Sequence, residues 1–217
     1  MNDWTDPVLI SIVLTSFVLV GASRLGTCIR VVALQGVLLG LLTLATPDAA
    51  RPLRAPILAL ASAGLKGIIF PRLLFRALRD ADVRREIEPF VGYRASLVLV
   101  TVALGASLWL GERLPRPPAA LSPLVVPVAL FTILVGLFVI VSRTKALTQA
   151  LGYLVLENGI YAFGVGAVVS TPMLVELGIL LDLFVAVFVM GIAVFHIHRE
   201  FDHIDTDRLT ALRDWPR

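Results

Sequence analysis

The chain has 217 residues, 58% of them hydrophobic and 16% charged, with a mean hydropathy of +0.89 and a formal net charge of +3. Soluble domains run about 45–50% apolar and about 25% charged, so an ordinary soluble fold is excluded, and so small a charge does not point to nucleic acid. The one cysteine, Cys28, excludes an intrachain disulfide, a cysteine-rich zinc site and an iron–sulfur cluster ligated by this chain alone.

The apolar residues come in blocks of about 18 to 25, the length of a helix crossing about 30 Å of hydrocarbon. The alternation of a membrane strand is missing. The expected class is therefore an all-α integral membrane protein of about seven transmembrane helices. Spans are expected at 7–22, 29–46, 55–78, 92–110, 123–141, 147–169 and 172–196. Asp3 and Asp6 precede the first block and no Lys or Arg does, unlike a cleaved signal peptide, so the first span reads as permanent. The third block is the least apolar, with Arg72, Arg76 and Arg79 in its last turns and a kink expected at Pro71.

Charge supplies a direction. If every block crosses, fourteen Lys and Arg residues fall on one side, among them Arg24, Arg30, Arg94, Arg143 and Lys145. Only Arg51, Arg54, Arg113 and Arg116 fall on the other. The positive-inside rule then puts the amino terminus out and the carboxyl terminus in the cytoplasm, as a multi-pass protein of the inner (plasma) membrane. Three regions follow: a four-helix part over 1–111, a three-helix part over 123–200 and a cytoplasmic tail over 201–217. The tail is polar with sparse apolar residues and reads either as a docking segment or as a solvated end. The two helical parts echo each other weakly. Ser23-Arg24 matches Ser142-Arg143, Leu34-Gln35-Gly36 matches Leu156-Glu157-Asn158-Gly159, and Lys66 matches Asp182.

Four ionisable residues lie within spans: Lys66, Glu157, Glu176 and Asp182. A charge at the centre of a spanning helix costs about 2.5–3.5 kcal/mol on insertion scales, and such residues usually face the bundle interior and serve ion or proton transfer. Glu157 is flanked at i±4 by Tyr153 and Tyr161, with Asn158 beside it and Gln149 one turn beyond Tyr153. Asp182 follows Gly178 by one turn, and a short Ser170-Thr171-Pro172 connection would bring it to the depth of Glu157 on a neighbouring helix. Glu176 is nearer the outer surface. Lys66, the lone lysine within a span, pairs with a carboxylate or titrates, and in the sequence it stands apart from the two acids. His196, Glu200 and His203 fall at i, i+4 and i+7, but at a membrane boundary, where histidine is ordinary; no metal or cofactor is expected.

Gly152-Tyr153, Leu156-Glu157-Asn158-Gly159, Val175-Glu176-Leu177-Gly178-Ile179, Asp182, Val189-Met190 and Leu209-Thr210-Ala211-Leu212 resemble the hydrogenase-4 component E family. Its members are membrane subunits of group 4 nickel–iron hydrogenase and formate hydrogenlyase-type complexes. The likeness extends more weakly to Lys66 followed by Pro71. Spans five to seven also resemble subunit K of NADH–quinone oxidoreductase: Arg143 matches its basic turn, Glu157 its first acid, Asp182 its second and Ile204-Asp205 its tail. Here Glu157 stands about one helical turn deeper, and the second acid is Asp rather than Glu. The resemblance implies a non-catalytic subunit without a redox centre, beside antiporter-like partner subunits. It would supply Glu157 and Asp182, with Lys66 and Glu176, to a lateral proton or cation path, and Tyr153, Asn158, Tyr161 and Gln149 would support it. A self-contained ion-coupled transporter and a structural scaffold are the rival readings.

Overall fold

The computed structural model describes residues 4–45, 54–80, 90–114 and 120–167. Within them the chain is helical, in the order α1 Thr5–Gly21, α2 Leu25–Thr43, α3 Arg54–Gly64, a π-helical turn Leu65–Ile69, α4 Phe70–Asp80, α5 Tyr93–Arg113, α6 Val125–Ser142 and α7 Ala146–Ala167. No strand occurs among the described residues. Of these helices α2, α5 and α6 are long and apolar enough to cross a membrane, and α1 is an apolar helix of 17 residues. Helices suit such a sequence because each backbone donor finds its acceptor inside its own segment. The hydroxyls follow the same rule: Ser16, Thr43 and Thr132 donate to the carbonyls of Ile12, Leu39 and Val128, four residues back.

The helices alternate in direction, and hydrogen bonds tie both ends of the bundle. At one end Arg143 Nη2 donates to the Val20 carbonyl at 2.8 Å, its guanidinium lies 4.8 Å from the Tyr93 ring, and the Phe90 N–H donates to the Ser142 carbonyl at 3.0 Å. At the other end Ser122 Oγ donates to the Asp6 carboxylate at 2.5 Å and the Leu121 N–H to the Gly166 carbonyl at 3.0 Å. The α6–α7 hairpin is the most extensive contact. It is close because of its glycines: a Cβ on Gly136 would stand 2.4 Å from the backbone nitrogen of Leu156, and one on Gly159 would stand 2.7 Å from that of Ile133.

The six helical stretches fall where the first six apolar blocks place them. The seventh block at 172–196, with Glu176, Asp182 and His196, and the tail with His203 lie outside the described residues. The third block differs from a plain kinked helix. Pro71 has no N–H and its ring crowds the carbonyl one turn back, and the helix answers by widening just before it. The Phe70 N–H donates to the Leu65 carbonyl, an i→i−5 bond. Beyond the π turn α4 is amphipathic: Arg72, Arg76 and Arg79 form one exposed stripe, while Leu74 and Ala77 are buried.

Buried apolar side chains form two clusters stacked along the helices. One holds Leu19, Val20, Ile29, Val32, Leu74, Val139 and Leu151, toward the Arg143 end. The other holds Leu9, Leu39, Leu42, Val125 and Val165, toward the Asp6 end. A level of polar side chains separates them: Ser16 on α1, Gln35 on α2, Lys66 on the π turn, and Glu157 and Asn158 on α7 are all buried.

Candidate functional site

Three packing features bring that level together. Gly36 lets α2 lie directly on the π turn: a Cβ there would meet Lys66 Cβ at 2.4 Å. At Gly40, one turn on, a Cβ would meet the Ala59 carbonyl oxygen and Ala63 Cβ of α3 at 2.9 Å each. The glycine-faced hairpin holds α7 against α6 on one side and leaves Glu157 and Asn158 facing α2 and the π turn.

Lys66 Nζ donates to Glu157 at 2.7 Å (Oε1) and 2.5 Å (Oε2), with both side chains almost wholly enclosed, at 3% and 1% exposed. It also donates to Asn158 Oδ1 at 3.2 Å and sits 4.6 Å from the centre of the Tyr161 ring. Such an arrangement neutralises both charges and adds a cation–π contact. The lysine and the glutamate, read apart in the sequence, are therefore one site. Asp182, read as the partner in depth of Glu157, lies outside the described residues, as does Glu176.

From Asn158 the hydrogen bonds continue across the bundle. Asn158 Nδ2 donates to Gln35 Oε1 at 3.5 Å. Gln35 Nε2 donates to Ser16 Oγ at 3.0 Å, Thr15 Oγ1 at 3.2 Å and the Ile12 carbonyl at 3.4 Å, and Ser16 Oγ donates to that same carbonyl at 2.9 Å. Each bond points away from the ammonium, so the dipoles align to favour its charge. Tyr161 has its own branch, with its hydroxyl 3.1 Å from Thr43 Oγ1.

The supporting residues separate. Asn158 and Tyr161 touch Lys66 directly. Tyr153 is half-buried in the apolar cluster at the Arg143 end, and no hydrogen bond among the described residues joins it to Glu157. Gln149 is committed elsewhere, its amide donating to the Arg143 carbonyl at 3.0 Å to tie the α6–α7 turn. Gln35, Ser16 and Thr15 carry the network but are not among the side chains the sequence singles out for chemistry. The signal available was Gly36-Val37-Leu38-Leu39-Gly40, a small-residue pair four apart marking a face where another backbone comes close. Among the described residues no group of three metal-ligating side chains occurs.

An all-helical membrane protein with a buried cation–carboxylate pair at mid-bundle is the class that fold and site define. The chain is 35% identical over 210 residues to the uncharacterized protein Rv0085 of Mycobacterium tuberculosis, covering 94% of this chain and 93% of that one, and it belongs to that protein's family. It is also 40% identical over 86 residues to hydrogenase-4 component E of Escherichia coli and of Shigella flexneri, a match covering 40% of each chain. No family profile matches it, and no solved structure does.

Proposed function

We propose that this chain is a membrane subunit of a hydrogenase-type complex and supplies protonatable groups to a lateral proton or cation path driven by electron transfer in other subunits. The observation that carries the reading is the Lys66–Glu157 pair, held in a polar level between two apolar clusters. The partial likeness to hydrogenase-4 component E supports the assignment to such a complex. In this reading Glu157 and Lys66 exchange a proton within the pair, Asp182 and Glu176 are further links, and antiporter-like subunits take the path on. The chain crosses the inner membrane seven times with its amino terminus out. Residues 1–111 and 123–200 form its two membrane parts, and 201–217 its cytoplasmic tail.

A proton path needs groups that both take up and release a proton. Glu157→Gln keeps the shape and a hydrogen bond to Lys66 but removes the carboxylate. In membranes holding the assembled complex, this variant is expected to retain assembly and lose most coupled proton movement. Normal coupling would sink the relay and leave the ion pair as a scaffold element, a role its complete hydrogen bonding also suits. Ion movement driven by the purified chain alone in vesicles would favour a stand-alone transporter.

A further inference from the structure

The exposed arginine stripe on α4 has a counterpart on α2. Gly26, Arg30, Ala33 and Val37 follow one another at helical spacing and share one face of α2. That face meets α4 and the π turn: a Cβ on Gly26 would stand 3.6 Å from Phe75 Cε1, and one on Gly67 would stand 2.7 Å from Val37 Cγ2. Arg30 is therefore at the seam between the two helices, and it is exposed. On α4, Arg72 lies one turn before Phe75 and Arg79 one turn after it, so both flank the ring that reaches α2. Three arginines thus border one seam, with Arg76 beside them on the outer side of α4.

Their depths also match. Gly36 packs on Lys66. Arg30 precedes Gly36 by as many residues as separate Lys66 from Arg72, so both arginines lie about 9 Å along the helix axis from the ion pair, toward the Arg143 end. Half the hydrocarbon layer is about 15 Å thick. With the mid-bundle ion pair near the bilayer centre, these side chains start inside the apolar layer and carry their charges up toward the phosphates. On the inner side of the arginines the same surface is apolar, with Leu34 on α2 and Ile68 and Ile69 on the π turn all exposed. The seam is cationic outward and apolar inward, which is the order of polarity of a phospholipid. Of the described carboxylate side chains, Asp6 and Glu112 lie toward the other end and Glu157 is paired with Lys66, so none of these offsets the arginines.

We propose that the α2–α4 seam binds an anionic phospholipid, its phosphate held by Arg30, Arg72 and Arg79 and its acyl chains lying along Leu34, Ile68 and Ile69. A guanidinium fork pairs bidentately with phosphate oxygens. A zwitterionic headgroup would bring its own cation against the same arginines and bind less tightly. The inference goes beyond the proton reading of the ion pair and does not rest on it.

The test is native mass spectrometry of the purified full chain, titrated with phosphatidylglycerol or phosphatidylcholine. Wild type is expected to hold one phosphatidylglycerol about tenfold or more tighter than phosphatidylcholine. Arg30→Gln and Arg72→Gln, both at exposed positions, should each weaken that binding about fivefold. Arg94→Gln removes an exposed arginine at the same end but on α5, and should leave the affinity within about twofold because salt screens distant charges. Glycerophosphoglycerol, the headgroup without its chains, should not compete at equal concentration. Equal affinity for the two lipids in wild type, as when a protein segment covers the seam, would overturn the proposal. So would an equal loss in Arg94→Gln, the mark of diffuse surface charge, or full competition by the free headgroup, the mark of a plain phosphate site. Glu157→Gln should bind the lipid as wild type does, so failure of the relay and failure of the lipid site are read separately.

Discussion

Replacing Lys66 with Met removes the cation and keeps an unbranched side chain one atom shorter. In wild type Nζ lies 2.7 Å from one carboxylate oxygen of Glu157, and with an effective dielectric constant of about 20 two unit charges at that distance attract by about 6 kcal/mol. Desolvating the two ions costs several kcal/mol each, so the intact pair is worth little in net terms. Stripping one partner is different, because it leaves a carboxylate that is 1% exposed without its cation, and such truncations cost about 3–5 kcal/mol. Glu157→Leu should cost a similar amount by stranding the ammonium. The double variant, with neither charge, should cost less than either single. The assay is unfolding of the full chain in mixed lipid–detergent bicelles, followed by circular dichroism. If the two single costs simply add in the double variant, within about 0.5 kcal/mol, the residues are not coupled and the reasoning fails.

Gly36→Val is expected to force α2 off the π turn, since its Cβ would meet Lys66 Cβ at 2.4 Å. The cost should be about 1–3 kcal/mol of stability in the same unfolding assay. Pro71→Ala restores a backbone N–H, so the π turn should close toward ordinary α-helix and carry Lys66 away from Glu157. The measurement is the 15Nζ–13Cδ distance between them, which should lengthen. Arg143→Met removes a charge-assisted bond to the Val20 carbonyl and the contact with Tyr93, a loss of about 1.5–3 kcal/mol that Arg143→Lys should restore only in part, since it lacks the planar fork.

Helix positions were legible because each apolar block is long enough to state its own boundaries. Ser23-Arg24 and Ser142-Arg143 mark turns, and α1, α2, α6 and α7 begin or end beside them. The π turn was not legible: a proline announces that a helical bond is lost, not whether the helix bends or widens. Nor was the partner of Lys66, for which pairing with a carboxylate was one of two expectations. Lys66 and Glu157 are separated by 91 positions, and their meeting depends on how closely α2 approaches α3 and the π turn, which Gly36 and Gly40 decide. Helical periodicity put Tyr153 and Tyr161 on one face with Glu157, yet only Tyr161 joins the site, because the face that counts is set by the neighbouring helices. The same spacing that linked Gln149 to the acid missed its nearer obligation to the turn at Arg143.

The distance in sequence between the two ends of the ion pair bears on how the protein is made. Lys66 leaves the ribosome 91 residues ahead of Glu157, and at about 5–20 residues per second that is a wait of about 5–18 s. Throughout it the π-turn helix carries the Lys66 ammonium without the Glu157 carboxylate, a charge that costs about 2.5–3.5 kcal/mol in a spanning position. In the membrane reading proposed above, that helix is the segment most dependent on the insertion machinery holding it. The arrival of α7 is what releases it, so truncation of the nascent chain before Glu157 should leave the first half exposed to quality-control proteolysis.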